Sequence, residues 1–246
     1  LKRLTKPLYF IAIILIIASG LVLGALISII FSNSAPNQSK LDIAKFDIKD
    51  HESLYVKIPT SKSGLVYVID VDPSIIKELR YATTDNFTHT KIYPFSACLL
   101  QKNTAKKLKE ANAEFKTLGY TIKIWDAYRP YDVQKYLWSF VSDSRFIANP
   151  NAAGSRHNRG AAVDITLVDN NNNNLIMPTG FDAFTEKAYR NAPMSDEARK
   201  NVDLLTSIMK KHGFNTIETE WWHYDDTDAD SYPILNITFE ELENLR

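Results

Sequence analysis

The longest apolar run of the chain lies near its start. From Leu8 to Phe31 no residue carries a charge. At about 1.5 Å per residue, a helix of this length crosses a hydrocarbon core of about 30 Å. The run is apolar on every side, which argues against a helix resting on a soluble core. Lys2, Arg3 and Lys6 precede it, and such charges stay on the cytoplasmic side. The pattern predicts an uncleaved membrane anchor over residues 1–31, a transmembrane helix at residues 8–31, and an exported, extracytoplasmic remainder. A cleaved signal and a secreted product form the competing reading. Its apolar region would be shorter, and no small-x-small cleavage site ends this one. Residues 32–45, beginning Ser32-Asn33-Ser34-Ala35-Pro36, read as a polar linker.

Beyond the linker both periods occur. Leu65 to Asp70 reads as a strand, and Thr121-Ile122-Lys123-Ile124-Trp125 alternates like one. Ala105, Leu108, Phe115 and Leu118 mark one face of a helix that Gly119 can end. Tyr131 to Val141 reads as another helix. Ser195 can cap a third, with Asp196 and Glu197 in its first turn, Lys210, Lys211 and His212 in its last, and Val202, Leu205, Ile208 and Met209 inside. Thr238 and Glu241 make a capping box, stapled by Ile237 and Leu242. Asn170 to Asn174 reads as a solvated loop. Helices and strands do not alternate regularly. The expected fold is therefore α+β: one catalytic domain over residues 46–246, with a central antiparallel sheet flanked by helices, plus the N-terminal transmembrane helix.

Composition adds little beyond this. The chain has 246 residues, 45% apolar and 24% charged, as expected for one globular domain with an appendage. Its 29 basic and 29 acidic side chains balance. Three of the basic ones precede the apolar run, so the remainder is net acidic and carries no basic stripe for nucleic acid. One cysteine, Cys98, excludes an internal disulfide. It stands in the apolar run Ala97-Cys98-Leu99-Leu100 with no charge beside it, and reads as a buried structural thiol.

Three stretches carry chemistry: Ser155 to Asp164 (Ser-Arg-His-Asn-Arg-Gly-Ala-Ala-Val-Asp), Glu220-Trp221-Trp222-His223, and Asp126-Ala127-Tyr128-Arg129-Pro130. A mononuclear zinc hydrolase needs three ligands, an open position and a base. After Gly160 the chain alternates. Val163, Ile165 and Leu167 suit a core, which leaves Asp164 on the other face among small neighbours. His157 precedes it on a loop that Gly160 can turn, and His223 completes a His-Asp-His set. Glu220 is the candidate base, with Glu218 as the alternative on the same strand parity. In a regular strand Glu220 and His223 face opposite sides, so both reach one metal only if the chain bends between them. Arg129 is the candidate for holding developing negative charge. His212 reads as a helix C-terminal cation; His51 and His89 read as exposed.

Ser155, His157, Gly160, Ala162 and Asp164, followed by Glu220, Trp222 and His223, resemble the signatures of the VanX-type zinc D-Ala-D-Ala dipeptidases, within a larger group of D-Ala-D-Ala metallopeptidases. Leu79 to Phe87 and Asp126 to Pro130 resemble two further blocks of that family, so that the likeness covers roughly residues 60–235. It implies one zinc ion held by His157, Asp164 and His223, Glu220 as general base and Arg129 stabilising the tetrahedral intermediate. It implies substrate contacts at Ser155 and at Asp182, which meets the free ammonium of a small D-amino-acid dipeptide. The implied activity is hydrolysis of D-Ala-D-Ala in cell-wall peptide metabolism. A D,D- or L,D-carboxypeptidase trimming peptidoglycan peptides is the alternative. Oligomeric state is not readable.

Overall fold

The computed structural model describes residues 59–244. The expected anchor and linker lie outside them. A five-stranded sheet forms the centre, built from β2 (Ile76–Lys77), β4 (Tyr120–Asp126), β5 (Ala162–Asp169), β6 (Phe214–Thr216) and β7 (His223–Asp226), in the order β2-β4-β5-β7-β6. A separate antiparallel pair joins β1 (Leu65–Tyr67) to β3 (Leu99–Gln101). The helices are α1 (Val68–Val71), α2 (Lys102–Thr117), α3 (Tyr131–Phe140), α4 (Asp196–Lys211) and α5 (Phe239–Glu243).

The expected antiparallel central sheet needs correction, and the expected transmembrane helix at residues 8–31 lies outside the described residues. The central sheet is mixed, because β2 runs parallel to β4 while the other pairs are antiparallel. The path from β2 through β3 and α2 is long enough to bring the chain back in the same direction, which a hairpin cannot do. Among the described residues, no helix is long and apolar enough to cross a membrane. The described residues form an α+β domain with helices packed against the sheet.

Val163, Ile165 and Leu167 of β5 join Ile122 and Ile124 of β4 in the main core, against Leu108 and Phe115 of α2 and Val202, Leu205 and Met209 of α4. Fully burying side chains of this size contributes about 1.5–3 kcal/mol each. Ser195 accepts from the Ala198 N–H, and Thr238 and Glu241 cap α5 reciprocally. A second core gathers Tyr81, Tyr93 and Tyr128 with Leu137 of α3 and Phe239 of α5.

Two local expectations differ. The strand at Leu65 stops at Tyr67 and turns into α1, because its partner β3 offers only three residues to pair with. Leu118 is half exposed. It lies past the last helical residue, Thr117, and so leaves the stripe that Leu108 and Phe115 define.

Candidate metal and active site

Register assembles most of the site. Asp126 of β4 pairs with Asp164 of β5, and Asp164 with His223 of β7. Three polar side chains thus form a row across three central strands, on the face of β5 opposite Val163 and Ile165. A register shift between Ile124 and Asp126 brings Asp126 into this row.

His157 arrives from outside the sheet, on the short 3-10 turn Arg156–Arg159. Ser155 caps that turn by accepting from the His157 N–H, and Asn158 reaches back to the Ser155 N–H. Gly160 ends it at φ 67°, where an added Cβ would collide with Leu65. Backbone bonds lock this loop to the Asp126-to-Pro130 stretch: Arg129 N–H donates to the His157 carbonyl, and Asn158 Nδ2 to the Arg129 carbonyl.

The bend required between Glu220 and His223 exists. The chain bends at residues 218–219 and 221–222, and β7 begins only at His223. Glu220 Oε2 then lies 3.8 Å from His223 Nδ1. Glu218, the alternative base, is exposed and accepts from Asn191 instead. Trp221 and Trp222 are both buried in the main core.

The candidate ligand atoms converge. His157 Nε2 is 3.2 Å from His223 Nδ1 and 3.3 Å from Asp164 Oδ2, and His223 Nδ1 is 2.9 Å from Asp164 Oδ1. Tetrahedral zinc with bonds near 2.0–2.1 Å separates its ligand atoms by about 3.3 Å. The other ring nitrogens are occupied. His157 Nδ1 lies 2.7 Å from the Ala127 carbonyl, and His223 Nε2 2.9 Å from Asp225 Oδ1. Both acceptors can only accept, so each neutral imidazole turns its lone pair inward. Two lone pairs and a carboxylate then face one another with no hydrogen between them. This donor set fits a dication such as zinc.

Charge leads the same way. Asp164, Asp182, Glu220 and Asp225 surround two imidazoles and one arginine. Burial pushes the Glu220 carboxyl up to about 8, with Asp164 adding to the rise. Burial, and then Asp164, also raises Asp182 well above the carboxylate range. Asp164 goes the other way: burial opposes ionisation, but His157 and His223 outweigh it. His223 is raised despite its burial, chiefly by Asp225 and Asp164. A proton on His223 is thus the competitor of a metal ion here.

Arg129 is held at all three nitrogens and keeps one further N–H on each terminal nitrogen. Its Nε and Nη2 donate to Asp126 Oδ2 at 3.0 and 2.6 Å, and Nη1 to Gln134 Oε1 at 2.7 Å. Tyr93 donates to the other Asp126 oxygen at 2.7 Å. Nη2 ends 4.0 Å from Asp164 Oδ2, at the margin of the ligand cluster. Asp182 sits at φ 54° and accepts from the Tyr81 hydroxyl at 2.9 Å.

Sequence reasoning therefore named residues that the fold brings together. It missed the supporting roles of Asp126, Gln134, Tyr81 and Asp225. Asp126 had a signal in its three-residue spacing from Arg129, and Asp225 in its shared strand parity with His223. Gln134 and Tyr81 had none. Among the other histidines, His89 is exposed and His212 lies at the C-terminus of α4, as expected, where it also meets Glu114; His51 lies outside the described residues. Cys98 is buried, and burial raises its thiol far above the usual range.

Residues 61–243 match a family model described as D-ala-D-ala dipeptidase, of the M15 peptidases. The chain is 37% identical to the D-alanyl-D-alanine dipeptidase of Escherichia coli (strain K12), over 70% of this chain and 89% of that protein. It is 28% identical to the enzyme of the same name from Enterococcus faecalis, over 70% of this chain and 96% of that one. A solved LD-carboxypeptidase, LdcB, aligns with a TM-score of 0.34 at 19% identity, covering 58% of this chain and 70% of that one, a likeness too slight to carry weight. The match spans most of the chain and every residue of the site, and on that ground the chain belongs to the D-Ala-D-Ala dipeptidase family of M15 peptidases, which are generally metal-dependent.

Proposed function

We propose that this protein hydrolyses the free dipeptide D-Ala-D-Ala to two molecules of D-alanine, with one zinc ion held by His157, Asp164 and His223. The observation that carries this reading is the convergence of three inward-facing donor atoms with Glu220 beside them. When bound, zinc supplies Lewis acidity and lowers the pKa of water.

The chain's own groups do the rest. Glu220 takes a proton from the attacking water and returns it to the leaving amine. Arg129, held at its Nε and at both terminal nitrogens, faces negative charge developing on the carbonyl oxygen and needs no reorganisation to do so. Asp182, half-buried at the edge of the site and held by the Tyr81 hydroxyl, is placed to accept the substrate ammonium. Ser155 accepts from the His157 N–H and keeps its hydroxyl hydrogen for a substrate acceptor.

Asp182 distinguishes this reading from carboxypeptidase action on longer peptides, because a half-buried carboxyl at this place rewards a free amino group next to the scissile bond. The test compares hydrolysis of D-Ala-D-Ala with that of an N-acylated tripeptide ending in D-Ala-D-Ala, with and without a chelator. Chelator-sensitive cleavage of the dipeptide alone is expected. Comparable cleavage of the blocked peptide would replace the dipeptidase reading with the carboxypeptidase one.

A further inference from the structure

We propose that Asp225 is a positioning residue that sets which nitrogen of His223 faces the metal and strengthens it as a donor. This rests on the metal reading of the site. His223 and Asp225 are two residues apart on β7, so their side chains share a face. Across the register stand Asp164, opposite His223, and Ala162, opposite Asp225. The small Ala162 leaves room for the Asp225 carboxylate to lean along the strand, and its Oδ1 comes to 2.9 Å from His223 Nε2. That oxygen only accepts, so the hydrogen sits on Nε2 and the Nδ1 lone pair turns toward Asp164 and His157.

The two histidines are oriented by unlike partners. His157 donates from Nδ1 to a neutral backbone carbonyl, that of Ala127. His223 donates to a full negative charge, which raises the ring's basicity as well as aiming it. The His223 backbone has its own support, since Arg190 Nη2 donates to its carbonyl at 2.7 Å. Substituting Asp225 therefore frees the ring without releasing the strand.

The experiment measures zinc affinity of the full chain by competition with a chromogenic chelator, for wild type, Asp225→Asn, Asp225→Ala and His157→Ala. The zinc-loaded forms are also examined by ¹⁵N NMR of the histidine side chains. Both Asp225 variants should bind zinc about 10–100-fold more weakly. The protected Nε2–H of His223, present in the wild type, should be lost or in fast exchange in the variants. If Asp225→Ala fails to fold, the isosteric Asp225→Asn carries the measurement. Zinc bound by wild type, lost in His157→Ala and unchanged in the Asp225 variants would overturn this inference alone. No zinc binding by wild type would overturn the metal reading and this inference with it.

Discussion

Two groups of buried acid meet on one short strand and are neutralised differently. At the end of β7, Asp226 has no side-chain exposure and is met by donors from its own fold: Thr104 Oγ1, Lys107 Nζ and the Asp228 N–H. At the start of the same strand, His223 stands among Asp164, Glu220 and Asp225, and the protein supplies too few fixed positive charges to balance them. A buried carboxylate is tolerated only if paired or hydrogen-bonded. Asp226 satisfies that rule within the chain. The site does so only by taking a proton or a cation, and that shortfall separates a binding centre from a structural ion pair.

The sharpest way to break the comparison is at Glu220. Glu220→Gln should lower kcat by about 10²–10⁴-fold while zinc content, by elemental analysis, stays at the wild-type level. Undiminished turnover would move Glu220 into the structural class with Asp226. Next in size is Arg129→Ala, expected to lower kcat by about 10²–10³-fold with less change in KM. Arg129→Lys should rescue poorly, because a point charge cannot meet Asp126 and Gln134 together. An effect confined to KM would count against a transition-state role.

Asp226 should behave in the opposite sense. Asp226→Ala strands buried donors and should cost about 1–3 kcal/mol in urea unfolding, with kcat/KM of the folded enzyme near wild type. A large loss of kcat/KM at intact stability would erase the distinction between the two groups. The smallest effect concerns pH. In chelated protein the Glu220 carboxyl titrates near 8, against an ordinary 4.5. Between those values the native state binds the extra proton, so this group makes stability fall as pH rises. Glu220→Gln removes that slope. Its stability advantage over wild type should be absent below pH 4.5 and grow to roughly 1–2 kcal/mol by pH 8, since Asp164 and His223 share the proton. An advantage that instead grew toward acid pH would reverse the sign assigned to the group.

Much of this was legible along the chain because period and spacing are local properties. The alternation of Val163, Ile165 and Leu167 against Asp164 reports which face of β5 is buried, whatever the strand pairs with. The caps at Ser195 and Thr238 are equally local, since they satisfy backbone N–H groups three residues away. The mixed sheet was not legible. The parallel pairing of Ile76 and Lys77 with β4 depends on a chain return of some forty residues, and two residues carry no pattern of their own. Exposure of Leu118 was hidden for a related reason: periodicity extrapolates past the point where the helix ends.

For the site, residue identity determined the donor set. Histidine, aspartate, glutamate and arginine in three short stretches specified the chemistry, because ligand type is a property of the side chain. Only the tertiary structure decided their arrangement. It set the bend that brings Glu220 beside His223, the register that aligns Asp126, Asp164 and His223, and the choice of Nε2 on His157 but Nδ1 on His223. That choice depends on what lies behind each ring, Ala127 in one case and Asp225 in the other. Convergence of groups up to about a hundred residues apart is a consequence of strand pairing and packing, and no local pattern encodes it.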